Sequence, residues 1–343
     1  MPTQHQIPTT GNGSAPALYF AWLCEQAKGR SPLPDDPTAP FLSVLMRTQG
    51  KRSEALKEAL LSLQAQSDEN FEVELVLHRA KEEDKRTTVA LLDAFPPQFR
   101  ARIHCHTLDE GTRSAPLNLA LSRARGRYIA MLDDDDVVLE DWVESFHEGA
   151  HAHEGMAIRC YGMTQFWSSE TDKNGRNVLR SVTAPQPTYC EPFDLSAHLI
   201  DNHTPISCLA IPRACHAVFG IAFDESLTTA EDWDFLMHCA LLCGVHDTGR
   251  ITFLYRLWQN TESSRTLHRE EEWLKNRSYI IEKFRRIPFL TSPAGQWPVL
   301  EGEEERPVLR LSLWGKLKKL YHTHGPLRFP FVLIRKVFHR IFG

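Results

Sequence analysis

Two groups of carboxylates draw attention first. Asp133, Asp134, Asp135 and Asp136 follow one another directly after the apolar run Tyr128-Ile-Ala-Met-Leu132. Four like charges side by side repel one another, so local folding does not favour them. Set just past a buried strand, they suit a hard divalent cation such as Mg2+ or Mn2+, which takes oxygen ligands. A solvated acidic turn before a helix near Glu140 is the plainer alternative. The second group, Glu231-Asp232, opens the apolar helix Trp233 to Cys243. The positive end of a helix favours carboxylates, so N-terminal capping alone would account for that pair.

The elements that must position these groups alternate regularly from Phe41 onward. Phe41 to Met46 is of strand length. Ser53 to Gln64 reads as a helix, with Leu56, Leu60 and Leu63 on one face and Ser53 as N-cap. Phe71 to Leu77 alternates before turning apolar, a second strand. Thr87 to Phe95 is a helix stopped by Pro96 and Pro97, and Arg102 to His106 a third strand. Ala115 to Arg125 is a helix closed by Gly126, and Tyr128 to Leu132 the fourth strand. This alternation implies a mainly parallel sheet with right-handed crossovers, an α/β fold. Ligands bind beyond the carboxyl ends of such strands, where the aspartates lie.

The later half is less regular. Met156 to Phe166 is strand-like, a polar hairpin follows through Thr171 to Arg176, and Pro212 is expected to open a helix through Val218. Ile251 to Leu257 reads as a strand and Arg269 to Arg285 as a long helix. Residues 1–40 form a polar leader, a short helix at 17–28 and a linker with four prolines between 31 and 40.

Composition narrows the function classes. Of 343 residues, 42% are hydrophobic and 24% charged, as in a soluble globular protein. The net charge is −5, yet residues 306–343 carry nine Lys or Arg and no acid, which leaves −14 for the rest. A body that acidic argues against a nucleic-acid partner. Eight cysteines without a Cys-x-x-Cys pair indicate neither a zinc site nor a disulfide framework, and point to a reducing compartment. With no secretory leader and no apolar run of about 20 residues, a cytoplasmic location follows, if need be at the inner face of the plasma membrane. Leu313, Trp314, Leu317 and Leu320 interleave with Lys316, Lys318 and Lys319. That basic, amphipathic tail fits an anionic membrane surface, or a helix packed on the acidic body.

Several runs agree in order with one family. The chain from about Phe41 to Arg286 resembles the family-2 glycosyltransferases of the GT-A fold. The matching pieces are Val44-Leu-Met-Arg-Thr48, Ala59 to Gln66, Arg113-Ser-Ala-Pro-Leu-Asn118, Arg127 to Asp136 with an Asp-x-Asp motif, Phe223 to Leu227 followed by Glu231-Asp-Trp-Asp234, and Tyr255-Arg256. The resemblance implies a Rossmann-like nucleotide-diphospho-sugar transferase domain over 41–290, followed by a linker and basic helical extension at 291–343. It implies inverting transfer of a sugar from a nucleotide-diphosphate donor to a glycan or lipid-linked acceptor hydroxyl, as in cell-surface polysaccharide synthesis. A divalent metal, Mn2+ or Mg2+, would assist departure of the diphosphate.

On that basis Asp135 is the expected metal ligand, with Asp133 on the ribose or metal side, Asp134 close by and Asp136 starting the next helix. Asp232 is the expected general base and Glu231 the second choice. Arg47, Thr48, His78, Arg113 and Asn118 become donor contacts, and Trp233 borders the acceptor. Arg256 is a phosphate clamp or pairs with the aspartates. Two positions depart from the family pattern: His78-Arg79 stand where relatives often have an Asp, and Trp258 where they often have a metal-binding His, with His268 as a conceivable substitute. The competing readings are a haloacid-dehalogenase-type phosphatase using Asp133 and Asp135, and a non-catalytic GT-A-like domain that binds glycans or nucleotides.

Overall fold

Every residue of the strand Phe71–His78 is buried, although its sequence begins by alternating Phe-Glu-Val-Glu. A strand covered on both faces belongs inside a parallel sheet. This strand, β2, pairs in parallel with β1 (Leu42–Thr48) on one side and β3 (Ile103–Leu108) on the other. The computed structural model describes residues 36–173, 177–259 and 269–285, all within one unit spanning 1–288.

Helices return the chain between these strands. α1 (Ser53–Gln64) follows β1, and α2 (Glu82–Asp93) with the single turn α3 (Pro97–Arg100) follows β2. α4 (Ala115–Arg123) leads to β4 (Tyr128–Met131), which pairs in parallel with β1. The order β3-β2-β1-β4 is therefore parallel throughout.

Beyond β4 the sheet is mixed. β9 (Leu209–Pro212) is antiparallel to β4 and to the long β6 (Ala157–Thr171). β10 (Val245–Trp258) runs parallel to β6, and β5 (Val137–Val138) closes the far edge antiparallel to β10. β7 (Asn177–Ser181) and β8 (Gln186–Tyr189) pair with the outer half of β6. The remaining helices are α5 (Trp142–Ala152), the short α6 (Leu195–His198) and α7 (Ala214–Ala217), α8 (Glu231–Cys243) and α9 (Glu270–Arg285).

Strand alternation divides the core into two layers. Val44, Val73 and Leu75 face Leu56, Leu60 and Leu63 of α1 and Trp142 and Phe146 of α5. Leu45, Val76 and Ile129 face Leu117 and Leu121 of α4 and Phe235 and Leu236 of α8. At typical values each such side chain contributes about 1.5–3 kcal/mol by leaving water.

Several boundaries differ from the sequence reading. α2 begins at Glu82, because Glu82, Glu83 and Asp84 complement the positive helix end and carry the helix back past Thr87. Pro212 ends β9 instead of opening a helix, and only one turn, α7, follows. Ser53 is not an N-cap: Arg52 holds that position without a side-chain capping bond. β6 and β10 run longer than their apolar stretches, since cross-strand pairing continues into polar residues. No described helix is long and apolar enough to cross a membrane. The expected helix at 17–28, His268 and the basic tail at 306–343 lie outside the described residues.

Gly126 has a different role from the expected helix stop. It is absent from the positive-φ glycines, and α4 has already ended at Arg123. Its backbone N–H donates to Ser43 Oγ at 2.8 Å, and an added Cβ would lie 2.5 Å from the Ser43 backbone nitrogen. A methyl group there would push the β4 entry away from β1. Gly126→Ala is expected to cost about 1–3 kcal/mol through overpacking, read as a lower denaturant midpoint with unchanged slope.

Candidate functional site

The carboxyl ends of β1 and β4 meet the start of α8, and the site is built there. Leu132 extends the β4 pairing by donating its N–H to Leu45 O at 3.1 Å, after which the chain turns, with Asp136 N–H bonded to Asp133 O at 3.2 Å. The four aspartates then receive four different environments. Asp133 keeps a side chain 38% exposed. Asp134 is buried and accepts from Thr48 Oγ at 2.5 Å and from Arg52 Nη2 at 2.7 Å. Asp135 is paired with Arg52 Nη1. Asp136 is buried and accepts the backbone N–H of Arg256 at 2.7 Å. It does not start a helix, because α5 begins only at Trp142; it ties the turn to β10 instead.

No sequence motif marks Arg52. Thr48 Oγ accepts the Gly50 N–H at 3.0 Å, and Gly50 takes a φ of 75°, so the chain wraps around Thr48 and returns Arg52 to the aspartates. One signal was available: Lys51-Arg52 stand at the positive end of α1, an unfavourable place for cations unless acids are near. Burial raises the Asp135 pKa to about 6 against the pull of Arg52, helped by the charges of Asp134 and Asp133. Asp136 is raised well above the usual range, chiefly by burial and then by Asp135.

The second carboxylate pair sits on a strained turn. Ala230 has φ +60°, a conformation that costs a non-glycine residue about 1–2 kcal/mol, and it makes Glu231 and Asp232 the first two residues of α8. Glu231 is buried and accepts from Arg47 Nη1 at 2.8 Å and from Arg113 Nε at 2.9 Å. Burial works against its charge, but the two guanidinium groups outweigh it and lower its pKa. Asp232 is partly exposed and has Asn202 Nδ2 at 3.3 Å from Oδ2. Desolvation, followed by the charge of Glu231, raises it to about 6. One neighbour is a fixed anion; the other is poised near neutrality.

Arg47 joins the two groups. Its Nη1 also donates to Arg113 O at 2.8 Å, and its Nη2 lies 3.8 Å from Asp133 Oδ1. From below, α9 holds the turn: Asn276 Nδ2 donates to Thr228 Oγ at 3.0 Å and Thr229 Oγ at 2.8 Å. Lys283 Nζ reaches Asp234 at 2.8 and 2.9 Å and Asp224 at 3.3 Å. No sequence motif marked these supports, because they are contacts between distant elements.

Arg47, Thr48, Arg113, Asp133, Asp134, Asp135, Glu231 and Asp232 thus form one linked set. Four other expected residues are engaged elsewhere. His78 ends β2 with Nε2 3.1 Å from Glu110 O, and its pKa is lowered by burial. Asn118 uses both ends of its amide on residues 223–225, accepting Phe223 N–H at 2.9 Å and donating to Glu225 at 2.9 Å, so it holds that segment in place. Trp233 is 2% exposed, with its indole N–H donated to His198 O at 2.8 Å, so it packs in the interior. The Arg256 guanidinium pairs with Glu58 at 2.7 Å and lies 4.1 Å over Trp167, while its charge also acts on Asp136. For a metal, Asp133 and Asp135 provide an all-oxygen donor set of the kind Mg2+ and Mn2+ accept. Arg52 now supplies the opposing charge.

Residues 43–183 match the model for glycosyl transferase family 2. An uncharacterized glycosyltransferase of Methanocaldococcus jannaschii is 23% identical over 200 residues, 58% of this chain and 64% of the relative. Among solved structures, S. aureus TarS residues 1–349 in complex with UDP-GlcNAc superposes with a TM-score of 0.53 at 18% identity, over 70% of this chain and 65% of that one. The chain therefore spans just under two thirds of the length of either. The fold is GT-A, and the phosphatase alternative finds no support among these matches. Glu231 and Asp232 lie beyond the matched residues.

The Asp232 environment has a consequence for stability. Its folded pKa of about 6 lies above the ordinary 3.8, so folding favours the protonated form. The contribution is present at low pH and is lost as pH rises through about 6. Asp232→Asn removes that loss. The variant should melt higher than the parent above pH 6, with the difference fading below pH 4, as followed by thermal melts across this range.

Proposed function

Because residues 43–183 form a glycosyl transferase family 2 domain, we propose that this chain moves a sugar from a nucleotide-diphosphate donor to an acceptor hydroxyl with inversion. The observation that carries the reading is the division of labour between two carboxylate groups at one sheet edge. Asp133 and Asp135 offer oxygen donors to a cation, while Asp232, with a pKa of about 6, stands beside an anion, Glu231, that is itself neutralised by Arg47 and Arg113.

The chemistry follows from those roles. The acceptor oxygen attacks the anomeric carbon from the side opposite the departing phosphate. Asp232 takes the hydroxyl proton as the new carbon–oxygen bond forms, and the bond to the phosphate oxygen breaks. A group with a pKa near 6 is ionised at neutral pH yet basic enough to accept that proton. Negative charge grows on the leaving diphosphate, and Arg47, facing Asp133 at 3.8 Å, offers positive charge at that edge. A divalent cation, Mn2+ or Mg2+, held by Asp133 and Asp135 would add Lewis-acid stabilisation of the same charge. Arg113, which shares Glu231 with Arg47, would meet the donor from the same side. The TarS complex supports a uridine diphosphate sugar as the first donor to try.

Glu231 is the weaker choice of base, because two guanidinium groups hold it ionised and buried. For the acceptor we favour a glycan or lipid-linked glycan at a membrane surface. That preference rests on the nine Lys or Arg and no acids of residues 306–343.

Four experiments test this. Asp232→Asn should abolish transfer while leaving donor binding by calorimetry within about threefold; equal loss of both would make Asp232 a donor-side or structural residue. The parent's kcat should rise with pH through about 6 as the base ionises. Asp135→Asn should lose metal-dependent donor binding, and unchanged metal dependence would remove it from the cation site. Finally, the full chain should pellet with anionic liposomes and a chain ending before Arg306 should not; equal pelleting refutes the membrane role.

A further inference from the structure

A second group of ligating side chains lies on β2 and β3, away from the aspartate turn. Glu72 and Glu74 alternate along β2 and so share a face, as do His104 and His106 on the neighbouring strand, with Glu74 opposite His104 in the parallel register. Glu74 is 2% exposed. Its Oε1 lies 2.7 Å from His104 Nδ1 and its Oε2 2.6 Å from His106 Nε2. Glu72, also buried, lies 3.9 Å from His104 Nδ1, and one ligand atom from each of Glu72, Glu74 and His104 falls within 4.8 Å of the others. Glu74 precedes His78, the end of β2, by four residues or about 13 Å of strand. In the sheet register Glu74 is level with Leu45 of β1 and Met131 of β4, so the group lies two strands away from β4 and short of the turn that carries Asp133 and Asp135.

We propose that Glu72, Glu74 and His104 form a binding site for a divalent transition metal of the zinc type. Two carboxylates buried side by side demand opposing charge. Glu72 has it: Arg125 donates to Oε2 from Nε at 3.0 Å and Nη2 at 2.7 Å, while its backbone N–H and Ser43 Oγ bind Oε1. The hydrogen bonds to Glu74 come from the two imidazoles, which are uncharged unless protonated. Mixed nitrogen and oxygen donors select zinc-like ions over Mg2+ or Ca2+. β3 is the edge strand of the sheet, and the His104 and His106 side chains are 35% and 27% exposed, so an ion can enter from solvent.

The contacts now present are hydrogen-bond distances, and ligands around a tetrahedral zinc stand about 3.3 Å apart. Binding therefore requires the His104 ring to withdraw by roughly half an ångström. The Arg125 side chain, 58% exposed, is free to release Glu72. A bound ion would pin the edge strand to β2.

The test uses the full chain carrying Asp133→Asn and Asp135→Asn, so that the aspartate turn contributes nothing. After chelator treatment it is titrated with Zn2+ against a chromophoric chelator, and with Co2+ for its visible absorption. One equivalent of Zn2+ should bind, with a four- or five-coordinate Co2+ spectrum. Adding His104→Ala should weaken binding at least tenfold, as should Glu74→Gln, with circular dichroism confirming the fold. His104 is the safer variant because its ring is partly exposed. Absence of stoichiometric binding overturns the proposal, as does binding that His104→Ala leaves unchanged. The site needs no sugar donor, so its failure would leave the transferase reading untouched, and the reverse holds too.

Discussion

Arg47 is gripped by Glu231 and by the main-chain oxygen of Arg113, each at 2.8 Å, while it remains 3.8 Å from Asp133. A guanidinium this enclosed would be costly without a committed anion, and Glu231 is that anion. Burial opposes the charge on Arg47, but Glu231 and then Asp133 more than offset it and raise its pKa. The same pairing keeps Glu231 ionised, and the charge on Glu231 helps push Asp232 upward. Burial raises the Asp232 carboxyl first, and the Arg47–Glu231 pair adds to that rise at one remove.

Charge management at the aspartate turn follows the same logic with different partners. Thr48 and Arg52 hold Asp134, Arg52 also holds Asp135, and the Arg256 N–H holds Asp136. Asp133 is left the most open of the four, next to Arg47. The repulsion that makes the run unfavourable as a local sequence is absorbed by three separate elements. Each of those elements is in turn fixed to the turn by it.

Support for the Asp232 side comes from later in the chain. The left-handed Ala230 is kept in place by Asn276 on Thr228 and Thr229, and by Lys283 on Asp224 and Asp234. Strain of about 1–2 kcal/mol persists only where neighbours over-determine it, and α9 provides those neighbours. The family-matched residues end at 183, so this half of the site is assembled outside them.

The amino-acid sequence by itself determined the parallel half of the sheet, because apolar period and turn residues act over short distances. It also determined that the four aspartates would stand past the carboxyl end of a parallel strand, where such sheets bind ligands. It did not determine which carboxylate does what. Glu231 and Asp232 are adjacent and chemically alike, and only the approach of Arg47 from β1 and Arg113 from the α4 entry separates them. Arg52, Asn276 and Lys283 acquired their roles the same way. Trp233, Asn118 and Arg256 are engaged by His198, residues 223–225 and Glu58. The pairing of Glu72 and Glu74 with His104 and His106 likewise exists only once β2 and β3 lie in register. Electrostatic and hydrogen-bonding partners are chosen by distance in space, which tertiary structure alone decides.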